Sequence, residues 1–284
     1  MELSAEEHQS IEEYQKNKKQ QNIVFIERQL NLNSALTFFQ TIYKNTRLIT
    51  LLGEIHDKTW TCKPPFINIS DYCLERVSKN RNCRIMLEYN PSADPERIGS
   101  EAIRTVYTLL NRMEGGINYI IPFDFRSYFL SPQGQSFLYD FDWRNESITN
   151  NVIESNFVLP YFEKYKNAFQ LEPDKYDQSI YNYLIGPFLT DITQTFNAIG
   201  SQIRQNYSIN HIQLSLKEAW KKVADFFILR EILKNNQINE YIVILGNKHF
   251  ENLRVILANM ATEINYQQGT PQNCVKLYHT YAFD

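Results

Sequence analysis

Two short stretches share one order of residue types, Gly53-Glu54-Ile55-His56 and Gly246-Asn247-Lys248-His249. Imidazole can ligate a divalent metal, accept a proton or activate water near neutral pH, so a pair of histidines suits hydrolytic chemistry. The chain has 5 histidines in 284 residues, and two of them in one pattern call for a shared explanation. Each copy follows an apolar run, Leu48-Ile-Thr-Leu-Leu52 and Tyr241-Ile-Val-Ile-Leu245. Such runs are expected of strands buried on both faces. One Gly-x-x-His alone reads as a strand-end histidine satisfied by local hydrogen bonds. The doubled pattern points to function.

Carboxylates accompany the histidines. Glu54 and His56 are two apart, so on an extended segment both can face one side. Glu88 follows the apolar run Ile85-Met86-Leu87. A carboxylate there is costly unless it is paired, bound to metal or poised for acid–base work. Asp124 and Arg126 follow Ile120-Ile121-Pro122-Phe123 and share a face. Arg126 would hold an oxyanion while Asp124 orients a histidine or binds metal, and a structural ion pair is the competing reading. A near-echo, Asp142-Trp143-Arg144, leaves open which pair belongs to the site; a clear strand before Asp124 favours the first.

The other histidines carry less. His8 lies in a polar arm, His211 precedes a helix without a partner pattern, and His279 reads as a packed or edge residue of a last strand. The sequence has no P-loop, Gly-x-Gly-x-x-Gly, Gly-x-Ser-x-Gly or His-Glu-x-x-His motif. Nucleotide binding and the commonest serine and zinc hydrolase designs thereby lose support.

The elements that must position these residues alternate. Strands are expected at Asn22–Glu27, Arg47–Gly53, Arg84–Glu88, Asn118–Phe123, Tyr241–Leu245 and Val275–Tyr281. Helices are expected at Asn33–Tyr43, at Ile69–Lys79, from a cap at Asp94-Pro95-Glu96 to Gly115-Gly116, and from near Phe250. Such alternation predicts an α/β fold: a mainly parallel central sheet with helices on both faces. Residues 1–21 read as a polar N-terminal arm and 22–284 as a single α/β domain. A mostly helical insertion or cap at about 127–236 interrupts it. Within the insertion, Ser215-x-x-Glu218 reads as a capping box before Leu216, Trp220, Val223, Phe227 and Leu233 at helix-face spacing.

Composition bounds the rest. A net charge of −3 and a pI near 6.0 give no basic field for nucleic acid or anionic membrane. No apolar run approaches the roughly 18 residues of a membrane span. The acidic start lacks a signal peptide's basic and apolar regions, so the expectation is a cytoplasmic protein, or an effector or toxin delivered without a cleaved leader. The 4 cysteines, Cys62, Cys73, Cys83 and Cys274, contain no Cys-x-x-Cys pair and are expected as free thiols.

In their order along the chain, Gly53-x-x-His56, Glu88, Asp124-Phe125-Arg126 and Gly246-x-x-His249 resemble the erythromycin-esterase/ChaN/Tiki/TraB superfamily. The resemblance spans roughly residues 47–282 and is carried by these short motifs. It implies hydrolysis of an ester or amide in a small molecule or peptide, with Glu54, His56, Glu88 and His249 at the site and Asp124 and Arg126 beside them. In a metal-dependent version, His56, Glu88 and His249 hold a divalent Mn, Co or Zn ion, Glu54 is the general base and Arg126 stabilises the oxyanion. In a metal-free version a histidine activates water with help from Glu54 or Glu88. The alternatives are a haem- or ligand-binding protein of ChaN type, with Tyr89 a candidate axial ligand, and a non-catalytic effector or scaffold retaining the fold.

Overall fold

The structure is a computed structural model, and it describes residues 23–33, 35, 37–54, 62, 66–89, 100–124, 170–269 and 275–283. Strands β1 (Ile23–Asn33), β2 (Thr37–Tyr43), β3 (Arg47–Glu54) and β4 (Phe66–Asn68) are followed by helix α1 (Ile69–Lys79) and β5 (Cys83–Leu87). Next come α2 (Glu101–Asn111) and β6 (Ile120–Pro122), then helices α3 (Gln178–Tyr183), α4 (Leu189–Arg204) and α5 (Ile209–Ile232). The chain closes with β7 (Glu240–Gly246), α6 (Asn247–Ala258), β8 (Thr262–Gln268) and β9 (Lys276–Phe283). A six-stranded sheet has the order β6-β5-β7-β3-β2-β8, and a three-stranded sheet has the order β4-β1-β9. The fold is α/β, with a largely parallel central sheet, helices on both of its faces and a helical insertion.

The described residues group into two compact units. One draws on Met1–Met86, Ser100–Ile121 and Gln237–Asp284, the other on Leu87–Gly99 and Pro122–Asn236. In the first, every residue of β2, β3 and β7 is buried. The apolar runs of β3 and β7 thus lie at the sheet's centre, each buried Leu, Ile or Val contributing on the order of 2 kcal/mol. β3 and β7 are parallel, from Leu48 opposite Glu240 to Glu54 opposite Gly246.

The segment expected as a helix at Asn33–Tyr43 is instead the end of β1 and all of β2, antiparallel to β3. Thr37, Phe38, Phe39, Thr41, Ile42 and Tyr43 are β-branched or aromatic, and covering both faces of β2 rewards such residues. A tight turn joins β2 to β3: Thr46 N donates to Tyr43 O at 3.2 Å, with φ of 53° at Lys44 and 58° at Asn45. Positive φ at both central positions matches the twist of a hairpin. The polar edge strand β8 was not expected, because Asn265-Tyr266-Gln267-Gln268 gives little apolar signal. The two outermost expected strands pair with each other, Ile23 opposite Phe283, in the small sheet.

α1 matches its expected bounds. α2 is capped by Ser100, whose hydroxyl accepts from Ile103 N at 3.3 Å, while the expected cap at Asp94 lies outside the described residues. In the second unit the expected capping box fails. α5 starts seven residues earlier than Leu216 would suggest, at Ile209, after the cap Ser208, whose Oγ accepts from His211 N at 3.4 Å. Ser215 and Glu218 are internal, because the apolar stripe already begins at Ile212. Among the described residues no helix is long and apolar enough to cross a membrane. Cys73 and Cys83 are free and buried, but Cys62 is disulfide-bonded, correcting the expectation of four free thiols. Cys274 lies outside the described residues.

Candidate functional site

Side-chain alternation fixes which face of β3 each helix covers. A Cβ placed on Gly53 would lie 3.1 Å from the Phe250 ring, so α6 packs on the Gly53 face. Glu240, opposite Leu48, accepts from Arg76 of α1 at 2.6 Å on the other face. Tyr72 of α1 is influenced by Thr50 on that same face. β3 therefore leads toward α1 and β5 on one side, while β7 leads through α6 toward β8 on the other. The β3–β7 boundary is a topological switch point, the place where open α/β sheets bind ligands beyond the carboxyl ends of their strands.

Both Gly-x-x-His motifs begin at that boundary. Glu54 and Gly246 are register partners, which in a sheet sets their strands roughly 4.8 Å apart. Glu54 is 2% exposed. Alternation puts it on the Thr50 face, across the sheet from α6. It is the last residue of β3. The helix after β7 starts at Asn247, not near Phe250, so His249 lies in the first turn of α6, 8% exposed. The N-terminal turn carries partial positive charge from unpaired N–H groups. His56 follows Glu54 by two residues and lies outside the described residues, as do Arg126, Asp142 and Arg144.

Glu88 and Asp124 belong to the second unit, directly after β5 and β6. Both are half-buried, and the backbone between them is tied: Leu87 O accepts from Tyr89 N at 2.9 Å and from Phe123 N at 3.1 Å. Tyr89 is buried. His211 is exposed in the first turn of α5, its ring 5.0 Å from that of Tyr207, and His279 lies in β9 opposite Glu27.

Two residues at the strand ends were not singled out from sequence. Thr37, fully buried, is the register partner of Gly53, and its hydroxyl donates to Asn247 Oδ1 at 2.9 Å. Asn247 sits inside the second motif and could have been noticed there. Thr37 could not, since its segment read as a helix. Among the described residues no three His, Cys, Asp or Glu side chains group so as to hold a metal. Of the three expected metal ligands, His249 and Glu88 are nitrogen and oxygen donors of the kinds Mn, Co and Zn accept but belong to different units, and His56 lies outside the described residues.

Comparison of the chain with family models, curated proteins and solved structures found no match.

Proposed function

We propose that the protein is a hydrolase of an ester or amide bond whose reacting centre is built from Glu54, His56 and His249. The observation that carries this reading is the register of β3 and β7. Two rare Gly-x-x-His motifs begin at the same end of neighbouring parallel strands, whose next helices lie on opposite faces. This is also the activity that a relationship to the erythromycin-esterase/ChaN/Tiki/TraB superfamily implies.

In this reading a histidine or Glu54 takes the proton of the attacking water. The N-terminal turn of α6 supplies N–H groups and partial positive charge toward the developing oxyanion. In the metal-dependent version His56 and His249 would help to hold a divalent ion, which would supply a coordinated water of lowered pKa and leave Glu54 as the base. The metal-dependent and metal-free versions differ in their response to chelation.

The test is a panel of chromogenic esters and fluorogenic peptides, assayed after chelation and after return of Mn, Co or Zn. Hydrolysis lost on chelation and regained with one ion supports the metal-dependent version, and hydrolysis indifferent to chelation supports the other. A haem Soret band together with no cleavage of any panel member overturns the hydrolase reading.

A further inference from the structure

A hydroxyl on β2 reaches across β3 to the start of α6, through the space where Gly53 has no side chain. A Cβ at Gly53 would lie 1.9 Å from Thr37 Oγ1 and 3.1 Å from Asn247 Oδ1. The Thr37 hydroxyl and the Asn247 carboxamide, 2.9 Å apart, therefore occupy the place of that missing side chain. The bond spans 210 residues of sequence and ties Thr37, the register partner of Gly53 in the first motif, to Asn247 of the second, two residues before His249. Thr37 is fully buried and Asn247 half-buried, so a Thr37 side chain without a donor would leave the bond on the Asn247 oxygen unmade from the sheet side.

We infer that Thr37 and Asn247 are positioning residues which fix the first turn of α6, and with it His249, against the end of β3. Their hydrogen bond accounts for the glycine of the first motif and for the asparagine of the second. Catalytic groups are sensitive to sub-ångström placement, and a shift of about 1 Å can cost around 100-fold in rate. Neither residue need touch substrate to matter. Thr37→Val keeps the shape and removes the donor; Thr37→Ser keeps the donor.

The inference rests on the hydrolase reading only for its kinetic arm, so its test has two independent readouts on the full chain. The first is the imidazole signals of His249 in nitrogen-labelled protein, assigned by their loss in His249→Ala. They are expected to move in Thr37→Val and in Asn247→Ala and to stay in place in Thr37→Ser. The second is kinetics on whichever panel substrate the parent cleaves. There Thr37→Val is expected to lower kcat about tenfold or more with little change in KM. Thr37→Ser restores it, and Thr37→Val with Asn247→Ala is no worse than the poorer single variant. A purely structural bond would cost stability in Thr37→Val and in Asn247→Ala without the kcat-specific loss. Unmoved His249 signals in folded Thr37→Val overturn the inference whatever the activity. A parent that cleaves nothing overturns the hydrolase reading alone, because the imidazole readout still decides the role of Thr37.

Discussion

Thr37 Oγ1 lies where a side chain on Gly53 would begin: a Cβ built there comes within 1.9 Å of it. The two residues are register partners on antiparallel strands at the centre of the sheet, so neither backbone has room to retreat. Gly53→Ala is expected to destabilise the protein by about 1–3 kcal/mol, as overpacking of a filled core does. Thr37 would escape the clash only by rotating and breaking its bond to Asn247. Urea denaturation checks this, and adding Thr37→Ala to Gly53→Ala should recover part of the loss. Equal stability of Gly53→Ala and the parent would mean that the packing around Gly53 is looser than described.

At the other end of β7, Glu240 is fully buried and is held by Arg76 Nε at 2.6 Å and Asn80 Nδ2 at 3.0 Å. Burial pulls the Arg76 pKa down, but attraction to Glu240 and to Tyr72 outweighs it and the net direction is up. Arg76 therefore stays charged at any pH at which the protein is handled. Removing one partner strands the other, so Arg76→Met should cost about 3–5 kcal/mol. Glu240 is six residues along β7 from Gly246, roughly 20 Å at strand rise. The variant's folded fraction should accordingly keep the parent's rate, measured per mole of native protein at low temperature.

The two free thiols set a pH dependence. Burial first, then the Glu240 carboxylate, raises the pKa of both Cys73 and Cys83. Because the folded values lie above the unfolded one, the stability they contribute is fully present below about pH 8.5. It is lost as pH rises and the unfolded thiols ionise while the folded ones do not. Each thiol should lower stability by up to about 1.4 kcal/mol per pH unit in that window. Urea midpoints at about pH 7.5 and about pH 9.5 measure the slope, which Cys73→Ala and Cys83→Ala should flatten. An unchanged slope in both variants would contradict the assignment.

Cysteine chemistry also separates the residues. Cys73 and Cys83 should resist alkylation in native protein and react on unfolding, whereas Cys62 should react only after reduction. Peptide mapping by mass spectrometry reads all three, and native labelling of Cys62 without reductant would contradict the disulfide.

Much of the architecture was legible because burial on both faces leaves a strong mark. Arg47–Gly53 and Tyr241–Leu245 are continuous apolar runs, and they lie at the centre of the sheet. What failed had weak or shared signals. β2 mixes apolar and polar residues, Phe38, Phe39, Gln40 and Thr41, in a pattern that also suits one face of a helix, and only its position between β3 and β8 decides. β8 is an edge strand whose polar residues Asn265 and Gln267 suit their half-buried position there. Ser215 resembles a cap locally, but the helix is set by an apolar stripe that begins at Ile212. For the candidate site, sequence supplied Glu54 and His249 through the repeated motif. The pairing of Glu54 with Gly246, three residues before His249, follows from the insertion of β7 between β3 and β5, which no local pattern announces. Thr37 was hidden because its relation to Gly53 exists only once β2 pairs with β3.

The central claim is that the two strand-end turns form one hydrolytic unit, and turnover of a panel ester or amide by Glu54→Gln, His249→Ala and their combination tests it most directly. Each single variant should lose about 10²- to 10⁴-fold in kcat/KM, the range expected for a general acid or base. The double variant should be little worse than the poorer single one, because either loss disables the same unit. His211→Ala, exposed in the second unit, should turn over as the parent does. If Glu54→Gln and His249→Ala both cleave as fast as a parent that demonstrably cleaves the substrate, the strand-end turns are not the site.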